Sequence, residues 1–465
     1  MTDMKNKTLL ILTLLLFNCQ LSIINCQLSS ASAQRIMTLE ECLAAACKDN
    51  TTAKDARNDI LMAKEQQKYA RSKYFPTLTA SALHFQSSDY LAKYHFLDEE
   101  AVNDLNNELE SDFTVDDFSI GILKKGTSAG MTLIEPIYAG GRISNYNKLA
   151  GLQVDARNLQ QEVADDQIVM DTEYLYYKIL ELHETDKTLA AIEKELEHIH
   201  QDAVNVWENG IVNKNDVLSV ELVQDQLSAL RIKADNGCKL LRRALAKHIG
   251  MPDEDIDVDT TLSKDIVAPE QLAVSAQTAL ENRSETRLLD LYVEKSVLER
   301  KIAAANMLPV LAVGATASYS KFVSSDWNSR VMGFLTVQMP LSTFWSERHE
   351  YKRKKIEEQK ANDFRQDKRE LISLQIQDAY DNLASTYKQV QIAEKSIRRA
   401  EENLRINREH YREGLTTMTV LLDAQRQQQQ ALTQHTSAVS EYLQAKTKYL
   451  ILTGRRQNVN NRQLK

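Results

Sequence analysis

The chain has 465 residues, only 13 Gly and 6 Pro, and a formal net charge of −8. So few helix breakers exclude a string of ordinary mixed domains and favour long helices built from Ala, Glu, Lys, Leu, Arg and Gln. The basic residues are spread along the chain rather than gathered with aromatics on one face, which argues against nucleic acid as a partner.

Lys5 and Lys7 precede an apolar run from Leu9 to Phe17, and Ala31-Ser32-Ala33 supplies a cleavage site. Residues 1–33 therefore read as a secretory signal peptide. The run is shorter than the ~20 residues of a spanning helix. Lipid attachment at Cys19 or Cys26 is the rival reading, although each follows an asparagine (Asn18, Asn25) where a small residue is wanted. Cys42, Cys47 and Cys238 remain in the mature chain. They read as small buried hydrophobes, and no Cys/His spacing suits a metal.

Residues 34–250 form a first unit. Thr38 and Glu41 have capping-box spacing and open a helix to about Tyr74, with a break expected near Asn50. Pro76 ends it. Thr77–Phe85 reads as a strand, and an insertion over 89–125 follows. Its stretch 98–117 carries nine carboxylates and no Lys or Arg, and reads as a solvated external loop without calcium-loop spacing. A second strand runs from about Ser128 to Glu135 and is closed by Pro136. From about Gly141 to Asn209 apolar residues recur at three-four spacing, as in Leu149, Leu152, Ala156, Leu159 and Val163, which is a coiled-coil seam. Such a helix would rise roughly 100 Å. Gly210 ends it, and Asp216–His248 returns as a helix about half as long.

Residues 251–270 read as a linker, and 271–454 repeat the plan. A helix is expected over Leu272–Asn306, strands over Pro309–Tyr319 and Val331–Met339, a long helix over Trp345–Glu413 and a last helix over Thr419–Leu452. Residues 455–465 read as a disordered polar tail. Pro136 and Gly210 lie 74 residues apart, as do Pro340 and Gly414, so one unit occurs twice at an offset of 204. The flanks agree in kind: Trp207-Glu208-Asn209-Gly210 with Tyr411-Arg412-Glu413-Gly414, and Val217-Leu218 with Leu421-Leu422. The hairpins differ, with 60 residues from Pro76 to Pro136 against 31 from Pro309 to Pro340. The fold class is mainly α with four strands, internally duplicated.

The strands have the ~9–11 residues of a tilted membrane strand. Leu311, Val313, Ala315, Ala317 and Tyr319 alternate with Ala312, Gly314, Thr316 and Ser318; Met332 and Phe334 break the alternation in the next strand. Four strands leave open edges, which lipid forbids, so they cannot close alone. No enzyme is expected. His183-Glu184 lacks a zincin's second histidine, His198 and His200 do not share a helix face, and no phosphate loop or nucleophile elbow occurs. These histidines read as surface or seam residues, and no cofactor or metal is expected.

Several segments together resemble the outer membrane efflux proteins of the TolC type. They are Met37-Thr38-Leu39-Glu40-Glu41-Cys42-Leu43, Tyr74-Phe75-Pro76-Thr77-Leu78, Pro136-Ile137-Tyr138-Ala139-Gly140-Gly141-Arg142, Met307-Leu308-Pro309-Val310-Leu311 and Tyr411-Arg412-Glu413-Gly414-Leu415-Thr416-Thr417 with Leu421-Leu422-Asp423-Ala424-Gln425. The exit at Pro340-Leu341-Ser342-Thr343-Phe344-Trp345 lacks the glycine pair. The resemblance implies a homotrimer in the outer membrane of a Gram-negative bacterium, with a twelve-stranded barrel and a twelve-helix periplasmic tunnel. It also implies a periplasmic adaptor and an inner-membrane pump of the RND or ABC class. Pro76, Pro136, Gly140, Gly141, Pro309 and Pro340 would mark barrel–helix junctions. Gly210, Ile211, Val212, Gly414, Leu415 and Thr416 would form the tips that an adaptor grips. Asp216, Tyr411 and Asp423 would belong to the pore gate, with Thr416 where the family has an arginine and Val420 where it has a tip acid. The alternatives are a periplasmic coiled-coil adaptor, which should show one hairpin and lipoyl-like halves, and a coiled-coil spacer, which needs no strands.

Overall fold

A computed structural model describes residues 35–89, 92–95, 99–108, 119–122, 124–210, 212–261, 266–322, 326–339, 341 and 343–455. The signal peptide, Cys19, Cys26, Ile211, Pro340 and the tail beyond Arg455 lie outside them.

The first copy opens with β1 (Arg35–Met37), α1 (Leu39–Asp49) and α2 (Thr51–Ser72). The capping box forms as the sequence predicts. Thr38 accepts from the Glu41 N–H at 3.3 Å, and Glu41 accepts from the Thr38 N–H at 2.9 Å. Asn50 is extended (φ −59°, ψ 140°) and breaks the helix. Its side chain supports the break, accepting from Thr52 N–H at 2.8 Å and donating to the His248 carbonyl at 2.8 Å.

β2 (Thr77–Gln86) follows, then β3 (Ala92–His95), α3 (Glu99–Glu108), β4 (Ser119–Ile122) and β5 (Lys125–Tyr138). The acidic insertion is therefore not one plain loop, since β3 and β4 pair antiparallel and α3 lies between them in sequence. Nor does Pro136 close the second strand. β2 pairs with β5 only as far as Thr77–Ile134, so beyond Ile134 the strand has one neighbour. A register shift between Pro136 and Tyr138 against the next strand absorbs the proline, as bulges do.

α4 (Arg142–Glu208) has 67 residues and α5 (Lys214–His248) has 35. The linker is not structureless. β6 (Ile256–Val258) pairs in parallel with β1. The helix expected over Leu272–Asn306 is three: α6 (Pro269–Leu272), α7 (Ala276–Asn282) and α8 (Ser284–Ala305). Ala273 and Arg283 are both extended, and Ser275 caps α7 by accepting from Thr278 N–H. β7 (Val310–Phe322), β8 (Asn328–Gln338), α9 (Thr343–Arg412, 70 residues) and α10 (Met418–Leu452, 35 residues) complete the second copy.

Two compact units emerge, and each draws on both copies. The first holds residues up to Ile60, Arg157–Leu289 and Gln366 onward. Its core is apolar helix–helix packing centred on Tyr176, Ile179, Leu245, Leu383, Tyr442 and Tyr449. Three tyrosine hydroxyls pin the connecting segment. Tyr176 donates to the Asp259 carbonyl at 3.0 Å, Tyr442 bonds both backbone groups of Val267, and Tyr449 accepts from Val274 N–H.

The second unit holds Leu61–Ala156 and Asp290–Arg365. It contains one antiparallel sheet of four strands in the order β2-β5-β7-β8. One face carries Leu78, Met131, Leu133, Val313, Leu335 and Val337. The other carries mostly Ser, Thr and Gly. Phe334, which broke the alternation in sequence, stands opposite Gly314, and its ring lies where a Gly314 Cβ would be, 2.3 Å from that position. The aromatic covers a glycine gap, which is why a large residue sits on the small face.

Candidate functional site

The helix-turn tips belong to the first unit. α4 stops at Gly210 and α9 at Gly414, both in the left-handed region at φ 74° and 72°. Each glycine N–H bonds back, to Trp207 O at 2.8 Å and Tyr411 O at 3.0 Å. The turns are held by one apolar core that includes Leu196, Ile199, Val217, Val220, Met418 and Leu421. Coiled-coil seams from both copies thus converge on the same place.

Tyr411 is part of that core, only 9% exposed, and its hydroxyl has no hydrogen bond of normal geometry. Burial pushes its phenol up to about 12, and the nearby carboxylates of Asp216 and Asp202 add to the rise. Asp216 sits in the first turn of α5, its N–H bonded to Asn213 O at 3.0 Å. The structure therefore brings Asp216 and Tyr411 together. Asp423 is elsewhere engaged, accepting from Arg426 and Gln427 of its own helix at 2.7 Å each. Thr416 and Val212 are half-buried, while Leu415 is exposed on the turn. Beside the tip core lies a groove of about 580 Å³, lined by Leu222, Leu227, Leu230, Gln425 and Gln429 among others.

At the junctions of the second unit, Pro76 and Pro309 each immediately precede a strand. Gly140 (φ 61°) follows β5, and a Cβ there would meet Leu308 Cβ at 2.9 Å and Ala305 O at 3.0 Å. Only glycine lets the strand exit pass this close to the end of α8. Gly141 (φ 79°) completes the turn into α4.

One cluster escaped the sequence reading. His183 is not a plain surface or seam residue. It joins α4 to β6 through Asp257 Oδ1 at 2.7 Å, with Cys238 Sγ 3.9 Å away on α5. The Asp257 hydrogen bond, helped by Cys238, raises His183 to about 10. Burial opposes ionisation of Asp257, yet the bond from His183 holds it below its ordinary value. Arg242 adds a bond to the Ile256 carbonyl at 2.8 Å. Cys42 is buried, Cys47 and Cys238 are half-buried, and none of the three forms a disulfide. Among the described residues no group of His, Cys, Asp or Glu could hold a metal ion. No described helix is long and apolar enough to cross a membrane, which says nothing of the strands.

Residues 275–454 match the family model described as outer membrane efflux protein, a span that lies within the second copy. No curated protein matches the chain. Among solved structures, the outer-membrane channel OprN superposes with a TM-score of 0.74 at 14% identity, covering 90% of each chain. VceC from Vibrio cholerae gives 0.72 at 16% identity, covering 90% of this chain and 96% of the other. The Campylobacter jejuni outer membrane channel CmeC gives 0.70 at 14% identity, covering 92% and 88%. At these identities the structures speak for the fold alone. The family match covers the second-copy motifs, Met307–Leu311 and Tyr411–Gln425, and shows their likeness to outer membrane efflux proteins. An outer membrane location, reaching into the periplasm, goes with that family.

Proposed function

We propose that the chain, as an outer membrane efflux protein, works as the exit duct of a tripartite efflux or type I secretion system. Three copies close one barrel, and the helices of the same copies form a tunnel. One observation carries this: a four-stranded sheet with an exposed apolar face and two unpaired edge strands, β2 and β8. Val331 and Leu335 are 81% and 66% exposed on that face. In lipid such a face is satisfied and such edges are not, so β8 of one copy must pair with β2 of the next. Three sheets of four strands give twelve. Leu218, Leu222, Ile232 and Leu240 of α5 stay exposed in the single chain, as a seam awaiting neighbouring helices would.

In this reading a periplasmic adaptor grips the turns at Gly210–Val212 and Gly414–Thr416, and an inner-membrane pump feeds the tunnel. Asp216 and Tyr411 hold the entrance shut. Asp423, paired within its helix, contributes charge rather than a latch. No step requires a catalytic group, since cargo moves by the pump's work. The alternatives fit less well, because neither an adaptor nor a spacer explains a sheet with a lipid-like face.

The test is reconstitution in planar bilayers. The wild-type trimer should open small, stable conductances, and Asp216→Ala with Tyr411→Phe should enlarge them. Unchanged conductance in the double variant would remove the gate assignment, and no conductance from any membrane preparation would remove the duct.

A further inference from the structure

The strand register assigns every side chain of the sheet to a face, and it leaves one charge alone on the small, polar face. On the lipid-like face the charged groups stand at the strand ends, Lys125 and Lys321 at one end and Glu135 at the other. On the opposite face, among the described residues, the four strands carry a single ionisable side chain, Arg330. It lies third in β8, opposite Ser318, which pairs with Gly130, which pairs with Ser81. Arg330 thus ends a row of the smallest residues in the sheet. That row is kept small by contact, because a Cβ on Gly130 would meet Ala317 O at 2.9 Å. Nothing along it obstructs a long side chain, and Arg330 is exposed. Arg330 itself lies near the end of β8 away from the strand–helix junction, beside the stacked pair Tyr319 and Trp327 (ring centroids 4.7 Å apart), while the row it heads runs back to mid-strand in β2.

We propose that Arg330 and its two symmetry copies form a cationic collar just inside the outer mouth of the barrel, which favours anionic solutes bearing carboxylate, phosphate or sulfate groups. The inference rests on the duct reading and adds a preference that the reading does not contain. Twelve strands about 4.8 Å apart and tilted about 40° enclose a backbone cylinder roughly 24 Å across. An extended arginine covers about half of the ~12 Å radius, so each guanidinium stands roughly 6 Å from the axis. That is inside the Debye length of ~10 Å at 0.1 M salt, so no solute on the axis escapes the field. Rings of Arg or Lys are how pores select anions.

The experiment reads the local potential at the collar itself, where the gate cannot mask it. Ser318→Cys places a thiol directly across from Arg330. The membrane trimer carrying it is reacted with a negatively and a positively charged methanethiosulfonate reagent, against the same trimer without that substitution, which reports the reaction of the chain's own cysteines. With Arg330 present the ratio of anionic to cationic reaction rates should exceed that of Arg330→Ser by about five-fold at 0.1 M salt. Arg330→Lys should keep the ratio. In 1 M salt, where the Debye length is ~3 Å, the difference should shrink to less than about two-fold. A membrane trimer whose ratio is unmoved by Arg330→Ser overturns the collar and leaves the duct standing. A chain that is a water-soluble monomer overturns the duct, and the collar with it.

Discussion

Where the first copy ends its return helix, Gly250 stands at φ 81°, and a Cβ there would meet Asp49 Cβ at 2.6 Å. Where the second copy ends its own, Gly454 stands at φ 67°, and a Cβ would meet Asn282 Cβ at 2.8 Å. The two sites differ in side-chain chemistry. Asn50 bonds His248 and Thr52 in the first copy. In the second, Arg283 forks onto Glu285 at 2.9 and 3.0 Å and leaves one buried nitrogen without a partner. The backbone solution is shared and the polar solution is not. What the duplication preserves is the close passage of a helix end against a helix break, and α2 and α8 both run 22 residues beyond it.

The tips offer the sharpest contrast with these sites, because Gly210 and Gly414 share the left-handed backbone but have nothing within 4 Å of a Cβ. Gly250→Ala and Gly454→Ala should therefore cost about 3 kcal/mol or more, strain and collision together. Gly210→Ala and Gly414→Ala should cost only the ~1–2 kcal/mol of the backbone conformation. Thermal unfolding of the detergent-solubilised protein would rank the four, and equal losses at tip and break would refute the packing argument.

A smaller effect should separate the copies by pH. His183 is raised above the ~6.5 of an unfolded histidine to about 10. Its contribution is therefore complete below pH ~6.5 and is lost as pH rises towards 10. The melting temperature should fall between pH 7 and pH 10, and His183→Gln should lower it at pH 7 and flatten that slope. A slope that survives the substitution would assign the pH response to other groups. The smallest effect is expected at Tyr411. Because its hydroxyl is buried and unpaired, Tyr411→Phe should leave stability within ~0.5 kcal/mol of wild type or slightly above it. A loss of more than ~1 kcal/mol would show that the hydroxyl bonds Asp216 after all.

Much of this frame was legible because it rests on spacing. The glycines and prolines that recur 204 residues apart bound the two long helices to within a few residues. Seam residues such as Leu152 and Leu159 are buried as their spacing implies. The break at Arg283 was not legible, since an extended residue inside a helical pattern needs no special side chain. Three-residue β1 and β6 are too short to show alternation. The His183 cluster draws its partners from 55 and 74 residues away, a juxtaposition only the fold creates. Tyr442 and Tyr449 were the available clue, because they lie seven apart and bond backbone groups, Val267 and Val274, that are also seven apart. At the tip, the sequence put Asp216 at one turn and Tyr411 at the other; that the two approach each other, and that Asp423 turns to its own helix, only the fold shows.

The duct requires the sheet to be closed by copies of itself. Light scattering on the protein extracted from outer membranes in detergent, with detergent mass subtracted, measures this most directly. Three chains per particle is the predicted result; a particle of one chain that stays folded in water without detergent would contradict it.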